Sequence, residues 1–201
     1  MWSALLHMRH PLMTLWFFAL AFSVSTAALP ASLSATLAHG KRLLKQSPWD
    51  AIAFLEVECD AGAFVGDDAA RARIMNELAD VQRFAKEFRA ARRWRRRALK
   101  LQMQELRFAL ERRSPRSSEA ALELALTQSS LAADMYFGGQ PSRAIKTLQT
   151  ALRQPGLSSV AAAVLTRAAS AAHECDGDAV LALLKFEEAS KAVAESGMPR
   201  A

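Results

Sequence analysis

From Ala69 to Arg113 the chain contains neither glycine nor proline, the two residues that most readily end a helix. Within that stretch apolar residues fall at Ile74, Leu78, Val81, Phe84, Phe88, Ala91, Trp94, Ala98, Leu101, Leu106 and Leu110. The steps are nearly all three or four, the spacing of one face of an α-helix. The pattern predicts a long basic helix in 67–116; unbroken from Ala69 to Arg113 it would be about 65 Å long. A break near Arg92 is the alternative the pattern leaves open. β-branched residues are scarce and never alternate with polar ones over a strand length, which argues against a sheet. With 51% apolar residues among 201, the chain can bury a core without metal or disulfide staples. The fold class read from sequence is all-α.

Charge is segregated along the chain. Residues 46–70 carry six acidic residues and no basic one, whereas 71–116 carry fifteen basic and five acidic. The two cysteines, Cys59 and Cys175, are read as buried thiols or, in an exported chain, as one disulfide.

The N-terminus holds an uncharged apolar run, Leu12 to Leu29, between Pro11 and Pro30. Arg9 precedes it, and it ends on Ser25-Thr26-Ala27-Ala28. A basic start, an apolar middle and a small-residue end form the layout of a secretory signal. Left uncleaved, the run would span about 27 Å as a helix, enough for a thin hydrocarbon core. Lys41, Arg42 and Lys45 would then bias the body towards the cytoplasmic side. A mitochondrial presequence is a third reading, because no acidic residue precedes Asp50. The expected location is the secretory pathway or cell envelope, with the mitochondrion as alternative.

The body divides into 31–66, a helix hairpin; 67–116, the basic helix; and 117–201, a pair of repeats. Ser47 with Pro48 marks a helix start, and Asp67 with Asp68 marks the next. In the last segment, aligning Gly139 with Gly177 places Ala144 on Ala182, Leu148 on Phe186 and Ala151 on Ala189. Each copy runs as a helix, a turn (Gly138-Gly139-Gln140-Pro141, then Asp176-Gly177-Asp178) and a second helix. A small residue, a large one four later and a small one three later let paired helices approach and fill the groove between them.

That pattern resembles the tetratricopeptide repeat family. Gly139, Ala144, Leu148, Ala151 and Leu152 supply most of the family's second-helix half, and Leu131-Ala132 suits its first helix. Gln128 and Thr166 stand where the family favours Trp. The resemblance implies stacked antiparallel hairpins in a short superhelix, and a protein–protein interaction module. It also implies partner-facing positions at Tyr136, Phe137 and Arg167. The lysine and asparagine pattern with which some relatives clamp a C-terminal carboxylate is missing.

The strongest local signal is Arg92-Arg93-Trp94-Arg95-Arg96-Arg97. These residues are expected to form a partner-binding surface, and replacing the five arginines by Gln is expected to leave the fold intact. With Phe84, Phe88 and Trp94 alongside, residues 89–100 also suit nucleic acid or anionic lipid. A third reading pairs the arginines inside the chain with Asp50, Glu56, Glu58 and Asp60. No phosphate-binding loop, nucleophile elbow or paired metal-ligand motif stands in the sequence. The expectation is therefore a non-enzymatic scaffold with no cofactor, no metal and no small-molecule substrate.

Overall fold

The computed structural model describes residues 31–60, 64 and 66–175. Among these residues the chain forms seven helices and no strand. The first two are α1, Ala31–Gln46, and α2, Pro48–Asp60. Ser47 separates them, and its Oγ accepts a hydrogen bond from the Asp50 amide at 3.3 Å. His39 of α1 packs edge-on against Phe54 of α2, with centroids 4.7 Å apart. The third helix, α3, is Asp68–Phe84. Its N-cap is Asp67, whose carboxylate accepts from the Ala70 amide at 2.9 Å, satisfying a donor that has no partner within the helix.

The segment 67–116, read as one long helix, is two. Helix α3 stops at Phe84 and α4 runs Phe88–Glu111. At the break the Glu87 amide donates to Gln82 O (2.8 Å) and the Lys86 amide to Arg83 O (2.9 Å), the paired closure of a Schellman motif. Its left-handed position, normally glycine, is filled by Lys86 with φ 64°. The chain uses the same closure twice more. After α4, Ser114 donates to Ala109 O and Arg113 to Leu110 O, with Arg113 at φ 49°. After α5, Ser117–Phe137, Gln140 donates to Met135 O and Gly139 to Tyr136 O, with Gly139 at φ 77°. Only the last of these turns carries the glycine that makes such a break visible in sequence.

Helices α6, Pro141–Ala151, and α7, Ser159–Cys175, complete the described chain. Every helix packs on the next in sequence, and α1 also meets α3 and α5 meets α7. The result is a stack of antiparallel hairpins. Leu124, Leu131, Leu148 and Leu165 form one core with Ala121, Ala125, Ala144 and Ala161. Ala144, Leu148 and Ala151 are all buried, so the small–large–small order of the first repeat lies on the packed face of α6. The corresponding residues of the second repeat, Ala182, Phe186 and Ala189, lie outside the described residues, as do 1–30.

A left-handed backbone at a residue with a Cβ costs on the order of 1 kcal/mol or more. Lys86→Gly should therefore raise stability by about 0.5–1 kcal/mol, after the extra chain entropy of glycine is subtracted. Lys86→Val should lower it. Urea unfolding reads both, with the denaturant slope unchanged.

Candidate interaction surfaces

Helix α4 packs against α3 on one side and α5 on the other, so its side chains sort by angle around the axis. Ala91, Arg92, Trp94, Arg95, Ala98, Gln102 and Leu106 are buried, whereas Arg93, Arg96 and Arg97 are exposed. Arg95 shares the row of Ala91, Ala98 and Gln102, spaced three or four apart, and is only 2% exposed.

A fully buried guanidinium must be neutralised, because it cannot lose its proton. Arg95 finds carboxylates on both neighbouring helices. Its Nη2 donates to Asp80 Oδ1 of α3 at 2.5 Å. Its Nε lies 3.4 Å from Asp134 Oδ2 of α5. Its Nη1 donates to the Asn76 carbonyl (3.2 Å) and to Asn76 Oδ1 (3.1 Å). Asp134 is wholly buried, and two further arginines attend it. Arg83 Nη1 stands 3.5 Å from Oδ1, and Arg92 Nη1 donates to the Asp134 backbone carbonyl at 3.2 Å. Arg83 also pairs with Asp80. The Asn76 amide donates to Thr127 Oγ1 across the α3–α5 gap at 2.8 Å. Burial pushes the Asp134 carboxyl above the usual carboxylate range, against the pull of Arg95 and Arg83. Burial also works against the Arg95 charge, but Asp80 and Asp134 more than restore it, so its proton is held more tightly than usual.

The expectation that Arg92 to Arg97 form one docking surface is thereby corrected. Arg92, Trp94 and Arg95 face the interior, because they fall on the rows of α4 that α3 and α5 cover. The internal pairing foreseen with Asp50, Glu56, Glu58 and Asp60 is corrected too, since the carboxylates that meet the buried arginines are Asp80 and Asp134. The signal for them was available: Thr127, Leu131 and Asp134 fall on one row of α5, and Asn76, Asp80 and Arg83 on one row of α3. A charged residue on a buried row needs an ionic partner on the facing helix.

Two surfaces remain. The first is the outer face of α4, where the Arg97 guanidinium lies 4.6 Å from the Trp94 ring centroid. The second is an aromatic cluster where the α3–α4 and α5–α6 turns meet. Phe88 stacks on Phe137 at 6.4 Å, and Tyr136 meets Phe137 edge-on at 5.8 Å. These three are half-buried, and Phe84 at the end of α3 is 57% exposed. The two turns come close because residue 138 is glycine: a Cβ there would stand 2.4 Å from Arg92 Nη1 and 3.3 Å from Phe88 Cβ. Arg167, the remaining residue expected to face a partner, is half-buried on α7. The Cys59 thiol is buried and free, and burial pushes it up to about 12. Among the described residues no group of His, Cys, Asp and Glu is placed to hold a metal ion, and no helix is long and apolar enough to cross a membrane.

No protein-family model matches the chain, and no curated protein matches it. Among solved structures it is similar to "MamA MSR-1 C2", at 17% identity over 82% of this chain and 95% of that one, with a TM-score of 0.32. So loose a superposition leaves both fold and function to be argued from this chain alone.

Arg95→Met should cost about 3–5 kcal/mol, because it strips a buried ionic partner from Asp134 and Asp80. Arg93→Gln with Arg96→Gln should cost no more than about 0.5 kcal/mol each, as exposed substitutions do. Replacing all five arginines should therefore destabilise the fold through Arg95 rather than leave it intact. Thermal melts of the two variants side by side check this; equal midpoints would contradict the sorting.

Proposed function

We propose that this chain is a non-enzymatic scaffold of the tetratricopeptide-like kind, which binds another protein through the aromatic cluster at its turn end. The observation that carries the reading is Phe84, a large apolar ring 57% exposed at the end of α3, one turn of chain before Phe88 and its half-buried stack on Phe137. A large ring left in water at the turn end of the stack has the makeup of a contact anchor, since aromatic residues dominate the energetics of protein interfaces. The stacked hairpins and the small–large–small packing of α6 support the family likeness. The chain's place in this proposal is the secretory pathway or cell envelope, exported or anchored by residues 12–29.

A photo-crosslinking amino acid at position 84, in cells that express the chain, should yield a discrete adduct with a second protein. Phe84→Ser should abolish the association and leave the melting midpoint unchanged. Because the contact is apolar, it should weaken little with added salt. Absence of an adduct, or a large loss of stability in Phe84→Ser, would overturn the assignment.

The compartment has a separate check. N-terminal sequencing of the mature protein should start near Ala28 or Leu29 if the apolar run is a cleaved signal. A start within the first few residues would leave the anchored form.

A further inference from the structure

We propose that the outer face of α4 is a docking surface for an anionic lipid bilayer. The residues that make it are Arg89, Arg93, Arg96, Lys100 and Arg107, all exposed. Their steps of four, three, four and seven place them in a wedge about 60° wide along the helix. The row is straight and about 27 Å long. None of the five makes an ion pair among the described residues. By contrast Arg83 and Arg95, on the inner rows of the same hairpin, are paired. Met103 lies along the same row, 43% exposed, whereas Phe108, 58% exposed, sits about a quarter-turn round the helix from it.

The occupant follows from shape and charge. A straight row on one face of a helix lets the cationic heads reach a plane together, each on a flexible stem. Its aromatics are engaged rather than free to stack on unpaired bases: Trp94 is buried, Phe88 is stacked on Phe137, and the Arg112 guanidinium lies over the Phe108 ring at 5.2 Å. Met103 adds apolar contact at headgroup depth, as the exposed face of an interfacial helix does. Each basic residue near an anionic surface multiplies the partition by about fivefold. The surface is distinct from the aromatic cluster, so this inference and the protein-binding reading stand or fall separately.

Co-sedimentation of the full chain with vesicles tests it. Vesicles of phosphatidylcholine with phosphatidylglycerol are compared with phosphatidylcholine alone. The neutral vesicles report any binding by the apolar run 12–29, and that signal should be the same in every variant. Arg93→Gln with Arg96→Gln should cut partition to the anionic vesicles by up to about twenty-five-fold, at an unchanged melting midpoint. Arg93→Lys with Arg96→Lys should retain it, because a membrane surface reads charge rather than guanidinium geometry. If the Gln pair lowers the midpoint, Lys100→Gln with Arg107→Gln at the other end of the row carries the same comparison. Unchanged partition of the Gln variant overturns the proposal. So does equal loss in the Lys variant, which points to a protein carboxylate read bidentately. Displacement from anionic vesicles by a stoichiometric RNA duplex also overturns it and assigns the row to nucleic acid.

Discussion

Arg95 carries a charge that it cannot surrender, on a row of α4 that two other helices cover. Everything around it follows from that. The guanidinium must meet carboxylates, and these are supplied by Asp80 of α3 and Asp134 of α5. Asp134 in turn is wholly buried and needs Arg83 and the Arg92 donor to its own carbonyl nearby. Three helices are therefore joined through one polar junction. The apolar contacts of the stack are rich in alanine, and flat surfaces of small side chains tolerate sliding. A one-residue slide of α5 would turn Asp134 by about 100° and move it 1.5 Å along the axis, away from Arg95. The junction penalises every register but one. A buried ion pair is a weak source of net stability compared with apolar packing, but breaking one is costly.

The junction also explains why α3 and α5 face each other. Asn76 to Thr127, Arg73 to Glu123 and Arg83 to Asp134 all bridge them. In this way the N-terminal hairpins and the alanine-rich core of α5, α6 and α7 are held as one stack. Gly138 contributes from the turn end, where its missing Cβ leaves room for the Arg92 guanidinium.

Much of the fold could be read from the chain. The boundary between α1 and α2 was announced by Ser47-Pro48 and the start of α3 by Asp67, and the Ser47 and Asp67 side chains do cap as their chemistry requires. The turn after α5 was announced by Gly138-Gly139. The break at 85–87 was not, because Lys86 occupies the left-handed position that glycine usually fills. Periodicity ran on through it: Val81, Phe84 and Phe88 keep helical spacing on both sides of the turn. The arginine cluster misled for a different reason. Five arginines around one tryptophan look uniform as composition, and only their angular relation to Ala91, Ala98 and Gln102 distinguishes them. That relation was present in the spacing but pointed inward, against the usual preference of arginine for water.

One helix thus carries two chemistries that a linear reading merges. On its inner rows, arginine acts through geometry: Arg95 makes several directed contacts at once, which lysine with its single ammonium would not reproduce. On its outer row, arginine and lysine stand in water without ionic partners among the described residues. Five of the six exposed basic residues of α4 keep to one wedge over five turns of helix, more alignment than solubility alone calls for. Nor does folding require it, since the residues of the outer row are exposed and exposed positions accept most helix formers equally. The inner arginines are explained by the fold. The alignment of the outer ones is not, and what it fits is a partner that is extended, negative and flat along 27 Å.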